Sequence, residues 1–179
     1  IVFGDWSSDV CSSDLHDTER ILTLAGGSLP KVQLAMAFLF AYPGAPAVYY
    51  GDEIGLTGGR DPQCRAAFPW QGEAWNETLH SWVRQLIHLR RETPALRRGI
   101  YQRLACPVQR GYIFLRSLDE ETVLIALNAS DEPQDWVLDA PLAWPEGYLP
   151  IDLLGGRVGK VSSGCFRLSL PPWGAAYLA

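Results

Sequence analysis

Apolar residues along this chain are spaced first for helices and later for short strands. Residues 28–42 are apolar on nearly every face of a predicted helix, as expected for a helix packed between other elements. After the turn at residues 43–46 comes the apolar run 47–50, which predicts a strand buried on both faces. Asn76 can cap a second, amphipathic helix that ends before Pro94. This order of helix, turn and buried strand indicates a parallel α/β sheet or barrel.

The pattern changes after Gly99. Turn residues separate four short apolar runs, which predict strands at residues 112–118, 122–128, 135–138 and 165–170. Short strands joined by turns are typical of an antiparallel sheet. We therefore predict a domain boundary near residue 99, followed by a small antiparallel β domain.

Residues 1–15 fit neither pattern. They contain Ser-Ser-Asp twice, have no helical or strand periodicity, and stop where patterned sequence begins. Residues 9–15 resemble a translated sequencing adapter, so residues 1–15 are predicted to be a non-native segment and stay outside the fold prediction.

Composition and charge indicate a globular protein and argue against several kinds of partner. The 179 residues are 47% hydrophobic with a formal net charge of -5, a globular composition in which acidic residues outnumber basic ones. No basic stripe is present, so no nucleic-acid partner is predicted. The longest apolar stretch, residues 34–42, is too short for a membrane span, so no membrane partner is predicted either. No metal site is predicted and free thiols are favoured, because the cysteines are far apart: Cys11, Cys64, Cys106 and Cys165.

Two acidic motifs carry candidate chemistry. His16 and Asp17 place an imidazole beside a carboxylate, which suits sugar hydroxyls and the positive charge that develops as a glycosidic bond breaks. Asp52 and Glu53 directly follow the predicted strand, where catalytic groups of α/β barrels lie. Taken alone, either pair also fits a solvated surface turn. The two tyrosines that end the predicted strand could stack on sugar rings, although alternation directs at least one of them into the core.

These motifs resemble the alpha-amylase family, glycoside hydrolase family 13. The run His-Asp-Thr-Glu-Arg at residues 16–20 is similar to the motif that ends the family's seventh barrel strand, and residues 44–55 are similar to its eighth-strand signature. The resemblance implies that Asp17 is the carboxylate that stabilises the transition state. It also implies that the substrate is bound by His16, Arg20, Asp52 and Glu53.

A following loop indicates a subgroup. Asp61-Pro62-x-x-Arg65 followed by Phe-Pro-Trp at residues 68–70 resembles neopullulanases, cyclomaltodextrinases and maltogenic amylases. Asp61 and Arg65 are expected to line outer substrate subsites, but an internal salt bridge that holds the loop fits equally well. Residues 170–177 resemble the last strand of the family's C-terminal β domain.

The resemblance implies a fold of α/β plus all-β class. Residues 16–98 would form the C-terminal part of a (β/α)8 TIM barrel, and residues 99–179 a small antiparallel β-sandwich. The implied activity is that of a retaining alpha-glycosidase on maltodextrin, cyclodextrin, starch or pullulan. Its partner would be an alpha-glucan oligosaccharide or polysaccharide, with no cofactor. The resemblance favours a cytoplasmic location and is compatible with a homodimer of the intact parent.

The sequence departs from the family pattern just before His16, and two alternative functions remain open. Leu15 precedes His16 where the family has Asn or Ser, and the family's nucleophile and general acid belong to segments before this point. Retaining hydrolysis needs both of those carboxyl groups, about 5 Å apart, so this chain alone is expected to be an inactive fragment. The alternatives are a transglycosylating relative, such as a trehalose synthase or branching enzyme, and a non-catalytic carbohydrate-binding or ancillary protein.

Overall fold

A computed structural model describes residues 18–179, which form two compact units. The first unit contains residues 18–33 and Ala45–Gln85, and the second contains Leu34–Gly44 and Leu86–Ala179. Residues 1–15, His16 and Asp17 lie outside the described residues.

The helices largely follow the predicted pattern. They are α1 (Ile21–Leu24), α2 (Leu29–Ala41), α3 (Glu77–Glu92) and α4 (Pro94–Arg98). Three short 3-10 turns lie between α2 and α3, at Asp52–Ile54, Gln63–Arg65 and Gly72–Ala74.

The predicted cap of the second long helix is present. The Asn76 side-chain oxygen accepts a hydrogen bond from the Leu79 amide at 2.9 Å, which satisfies one donor in the first turn of α3. Pro94 does more than end that helix, because it occupies the first position of α4, where its fixed φ and missing N–H are tolerated.

The strand predicted at residues 47–50 is not paired in the part of the chain that the structure describes. A strand in a parallel sheet is defined by hydrogen bonds to a neighbour, and every strand pair within residues 18–179 is antiparallel. The prediction of a sheet strand at these residues is therefore wrong for the described structure.

Two antiparallel sheets make up most of the second unit. The four-stranded sheet has the order β1-β2-β3-β6, with strands β1 (Ile100–Leu104), β2 (Gly111–Leu118), β3 (Glu121–Asn128) and β6 (Ala175–Leu178). The two-stranded sheet pairs β4 (Gln134–Asp139) with β5 (Cys165–Leu170). Strand β1 and helix α4 were not predicted from the sequence.

Both sheets contribute to one apolar core. Trp136, Phe166 and Leu168 from the two-stranded sheet belong to the same buried cluster as Ile113 and Leu124 from the four-stranded sheet. Along β4 and β5, buried and accessible positions alternate, as expected for strands with one face in a core. The predicted antiparallel β-sandwich is confirmed.

Strands β2 and β3 are buried on both faces. Phe114 and Ile125 face each other in register and are fully buried, although their side chains lie outside the sandwich core. Phe38 of α2 packs near this outer face, with ring centroids 6.4 Å from Phe114 and 5.9 Å from Tyr112. This double burial explains why both strands are nearly continuous apolar runs.

Two buried arginines satisfy the C-terminal end of α2. The last carbonyl groups of a helix have no partner within the helix. Arg90 donates to the carbonyls of Phe40 at 2.6 Å and Tyr42 at 3.2 Å. Arg116 donates to the carbonyls of Ala41 at 2.6 Å and Gly99 at 2.9 Å. These bonds fix the end of α2 inside the second unit.

Residues before Gly99 therefore pack with the β-sandwich. The Tyr177 hydroxyl on β6 donates to the Ala37 carbonyl, which adds a third attachment of α2. Burial raises the pKa of Tyr177, opposed by the nearby Arg90. The sequence placed a domain boundary between residues 98 and 99, and that boundary stays a prediction.

Replacing Arg116 by Met should lower the free energy of unfolding by about 2–4 kcal/mol. The loss has two sources, because hydrogen bonds from a charged donor are removed and two carbonyls are left without partners. Urea unfolding followed by circular dichroism measures the change. Arg98→Met is the matched control, because Arg98 is exposed. Equal stability of the two variants would show that the capping bonds contribute nothing net.

Candidate functional site

Arg20 is the centre of the candidate site in the first unit. Its side chain is only 1% exposed, and its Nη1 donates to the Tyr50 carbonyl and, at 3.4 Å, to a carboxylate oxygen of Asp52. The guanidinium carbon lies 4.2 Å from the ring centroid of Tyr49 and 4.6 Å from that of Tyr50, which is cation–π geometry. Arg20 thus joins the end of the run at residues 16–20 to the segment that carries Asp52 and Glu53.

The local backbone explains how the acidic pair is placed. Gly51 has a φ of 90°, and a Cβ there would lie 2.8 Å from the Leu56 side chain, so this turn requires glycine. A 3-10 turn follows at Asp52–Ile54. A carboxylate oxygen of Glu53 accepts a hydrogen bond from the Gly51 amide at 2.7 Å, which fixes the side chain against its own turn.

Burial changes the acidity of Asp52. The residue is 9% exposed, and this burial raises the pKa of its carboxyl group from 3.8 to about 6. Arg20 opposes the rise through its charge and its hydrogen bond, whereas the Glu53 carboxylate adds to it. A carboxyl group that takes up a proton near pH 6 is the kind of perturbed group that clusters at functional sites.

The loop at residues 58–66 is fastened to both motif segments. The Gly58 amide donates to the Thr23 hydroxyl at 2.9 Å, and the Gly58 carbonyl accepts from the Arg20 amide at 2.9 Å. At the other end, the Tyr50 hydroxyl donates to the Ala66 carbonyl at 3.0 Å. The loop is therefore held next to the Arg20 cluster.

Asp61 and Arg65 form the internal salt bridge considered from the sequence. A carboxylate oxygen of Asp61 lies 3.1 Å from Nε of Arg65. The side chains remain 60% and 47% exposed, respectively, so the pair contributes little to stability. Both remain accessible to a ligand, and their contact with substrate stays a prediction.

An aromatic row follows this loop. The Phe68 ring lies 4.9 Å from Trp70 and 5.8 Å from Trp75, measured between centroids. The Trp75 indole donates to the Pro69 carbonyl at 2.7 Å, which holds the backbone just before Trp70. Trp70 itself is 83% exposed.

The structure thus brings together some of the predicted residues. Arg20 and Asp52 are in contact, Glu53 belongs to the same turn, and the loop with Asp61 and Arg65 is attached beside them. The predicted catalytic Asp17 and its neighbour His16 lie outside the described residues, so their roles stay predictions.

Sequence reasoning missed what the two tyrosines do. Alternation predicted that at least one of the two would pack in the core, and that prediction is wrong, because Tyr49 is half-buried and Tyr50 is 39% exposed. Both rings instead contact the guanidinium of Arg20. The only feature of the sequence that could have indicated this contact was the pair of tyrosines directly before a turn glycine, together with a nearby arginine motif.

The described part of the chain has neither a metal-binding cluster nor a membrane-spanning helix. Within residues 18–179, no group of three or more histidine, cysteine, aspartate or glutamate side chains could hold a metal ion. In the same part of the chain, no helix is both long enough and apolar enough to cross a membrane.

Comparison with known proteins identifies the family. A model described as the alpha-amylase catalytic domain matches residues 6–89, and a model of the maltogenic amylase C-terminal domain matches residues 104–176. The chain belongs to the alpha-amylase family. The first match begins before residue 16, and the non-native origin of residues 1–15 stays a prediction.

Similar sequences carry the names of the expected subgroup. A cyclomaltodextrinase of Geobacillus thermopakistaniensis is 40% identical over 162 residues, which cover 89% of this chain and 27% of that protein. Neopullulanase 2 of Thermoactinomyces vulgaris is 36% identical, with 89% of this chain and 27% of that protein covered. The chain spans about a quarter of the length of these relatives.

Solved structures of family members are also similar. An Anoxybacillus alpha-amylase superposes with a TM-score of 0.81 and 31% identity, covering 92% of this chain and 36% of that chain. The native debranching enzyme of Nostoc punctiforme gives a TM-score of 0.79 and 36% identity, covering 92% of this chain and 34% of that chain. The expected α/β plus all-β class, with a barrel fragment and a C-terminal β domain, is confirmed.

The raised pKa of Asp52 predicts a pH-dependent stability difference. The folded pKa of about 6 exceeds the unfolded 3.8, so the folded state binds the extra proton and is destabilised as pH rises through this window. Asp52→Asn removes the titration. Its stability relative to the unsubstituted chain should be greater at about pH 7 than at about pH 4, by on the order of 2 kcal/mol.

Urea unfolding at the two pH values measures this difference. Asp61→Asn is the control, because that carboxylate is 60% exposed. A relative stability of Asp52→Asn that is the same at both pH values would contradict the assignment.

Proposed function

We propose that this chain is part of a retaining alpha-glycosidase that hydrolyses alpha-glucans. The observation that carries the proposal is the buried contact between Arg20 and the Tyr49–Asp52 segment. This contact ties the residues directly after His16 and Asp17 to the acidic turn of the second motif. Membership of the alpha-amylase family supports the same activity.

The side chains have two proposed roles, contact with the sugar and positioning of the groups that make that contact. Asp17 is the proposed transition-state stabiliser, with His16, Asp52 and Glu53 contacting the sugar. The Arg20 side chain is 1% exposed and its Nη1 donates to the Tyr50 carbonyl and to Asp52, which supports a positioning role toward Asp52. Substrate contact by Arg20 itself stays a prediction. Retaining hydrolysis also uses a nucleophile and a general acid, which the family places before the His-Asp motif.

The relatives' names support a substrate class. They are cyclomaltodextrinase, neopullulanase and maltogenic alpha-amylase. We infer that the glucan is a cyclodextrin, pullulan or a maltodextrin. Absence of nucleic-acid and membrane partners stays a prediction, as does a homodimer of the intact parent.

A hybrid enzyme tests the proposal. Residues 16–179 replace the matching segment of the Geobacillus cyclomaltodextrinase, and hydrolysis of β-cyclodextrin, pullulan and maltose is measured by product analysis. We expect hydrolysis by the hybrid and none by the 179-residue chain alone. A folded hybrid without activity on any of the three substrates would contradict the proposal, and products longer than the substrate would favour the transglycosylating alternative.

In the same hybrid, Asp17→Asn should lower kcat by at least about 100-fold with little change in KM. The lost charge interaction strengthens only as positive charge develops in the transition state. Asp119→Asn is the matched control, because Asp119 is exposed in a turn with a φ of 52°, a conformation that Asn tolerates. An unchanged kcat for Asp17→Asn would remove Asp17 from the catalytic groups.

A further inference from the structure

Trp70 has an unusual environment for a tryptophan. It is 83% exposed, whereas the other tryptophans within residues 18–179 are buried or half-buried. An exposed indole leaves a large apolar surface in water, at a cost proportional to that area. Exposed apolar surface of this size often marks a place where a ligand or partner binds.

The ring is held in place rather than loosely attached. The Trp75 indole donates to the Pro69 carbonyl at 2.7 Å, and Phe68 packs between the rings of Trp70 and Trp75. Trp75 in turn contacts His80 on α3, with ring centroids 5.1 Å apart. A supported aromatic ring loses little conformational entropy when a ligand covers it.

The position of Trp70 along the chain places it near the candidate site. Ala66, four residues earlier, accepts the hydrogen bond from the Tyr50 hydroxyl. Four residues of extended chain span at most about 14 Å. Trp70 therefore lies within about that distance of a residue that contacts the Arg20 cluster.

Its surroundings favour a sugar over a protein partner. Between residues 57 and 75 no other large hydrophobic side chain is comparably exposed, and Gln71 and Glu73 beside it are exposed polar residues. Protein interfaces are built around a cluster of buried anchors. A single aromatic face within a polar loop suits a pyranose ring, which has one apolar C–H face and hydroxyl groups around its edge.

We propose that Trp70 is a stacking platform for one glucose unit of a bound alpha-glucan, outside the cleavage position. The inference rests on the proposed function, because it names a further contact for the same substrate class. The indole face covers the apolar face of the sugar, and the exposed polar groups of the neighbouring loop remain available to its hydroxyls.

Direct binding to the 179-residue chain tests the proposal. Maltoheptaose and β-cyclodextrin are titrated by calorimetry into the unsubstituted chain, Trp70→Ala, Trp70→Phe and Leu142→Ala. We expect Trp70→Ala to weaken binding by about tenfold or more and Trp70→Phe to stay within about threefold, because phenylalanine keeps an aromatic face. Leu142→Ala removes a fully exposed apolar side chain in the second unit and should leave binding unchanged.

Chemical protection supplies a second measurement. N-bromosuccinimide oxidises exposed indoles, and peptide mass spectrometry reports the extent at Trp70. Saturating maltoheptaose should slow oxidation of Trp70 at least severalfold, and a matching concentration of sorbitol should not.

Three results would contradict the proposed role of Trp70, and each has a different meaning. Equal affinity of the unsubstituted chain and Trp70→Ala, with Trp70 still reactive, would overturn the platform and leave the proposed function standing. Self-association by sedimentation that disappears in Trp70→Ala, without protection by glucan, would assign Trp70 to a protein contact instead. Absence of binding by the folded chain would also overturn the platform, and hydrolysis by the hybrid enzyme would then decide the proposed function separately.

Discussion

Buried carbonyl groups that need hydrogen-bond donors are the constraint on which both units depend. Three arginines with 1% to 7% exposure meet this need, each for a segment distant in sequence. Arg20 reaches the carbonyl of Tyr50, while Arg90 and Arg116 reach carbonyls at the end of α2. A guanidinium group suits this role because it presents five donors in a planar fork and keeps its charge when buried. The positions of α2 and of the acidic turn therefore follow from these side chains.

Burial shifts the pKa of charged side chains in both units, but the effect on their charge near neutral pH differs. Desolvation lowers the pKa of Arg90 and of Arg116, yet an arginine begins so far above neutrality that it stays charged. Desolvation of Asp52 acts on a group that begins near 4 and moves its pKa to about 6. Only the second shift brings a proton exchange close to neutral pH. The arginines are thus constant structural charges, whereas Asp52 can change its charge under ordinary conditions.

Local sequence patterns predicted the elements that depend on interactions between residues close together in the chain. The α2 pattern, the Asn76 cap and four of the strands depend on periodicity and capping within a few residues, and the structure agrees closely with them. Strand β1 was missed because its residues are mostly exposed and do not alternate. The strand predicted at residues 47–50 depends on neighbours that no local pattern can supply. The paired tyrosine contacts with Arg20 and the exposure of Trp70 depend on tertiary packing and were likewise invisible.

Under the proposed function, accessibility distinguishes the exposed groups of the loop, which can contact a glucan, from buried groups that position the backbone. A side chain that is 1% exposed, such as Arg20, has no free surface for a sugar, but it can fix the backbone and the carboxylate beside it. Asp61, Arg65 and Trp70 have the opposite character, because they are exposed on segments whose backbones are anchored. A buried charged centre with accessible groups on anchored loops is a pre-organised arrangement. Little conformational entropy is then lost when a ligand binds, because the loops are already ordered. The loop is fastened to the Arg20 segment through the Arg20 backbone amide and the Thr23 hydroxyl, so under the proposed function recognition of substrate by the loop depends on the fold of that segment.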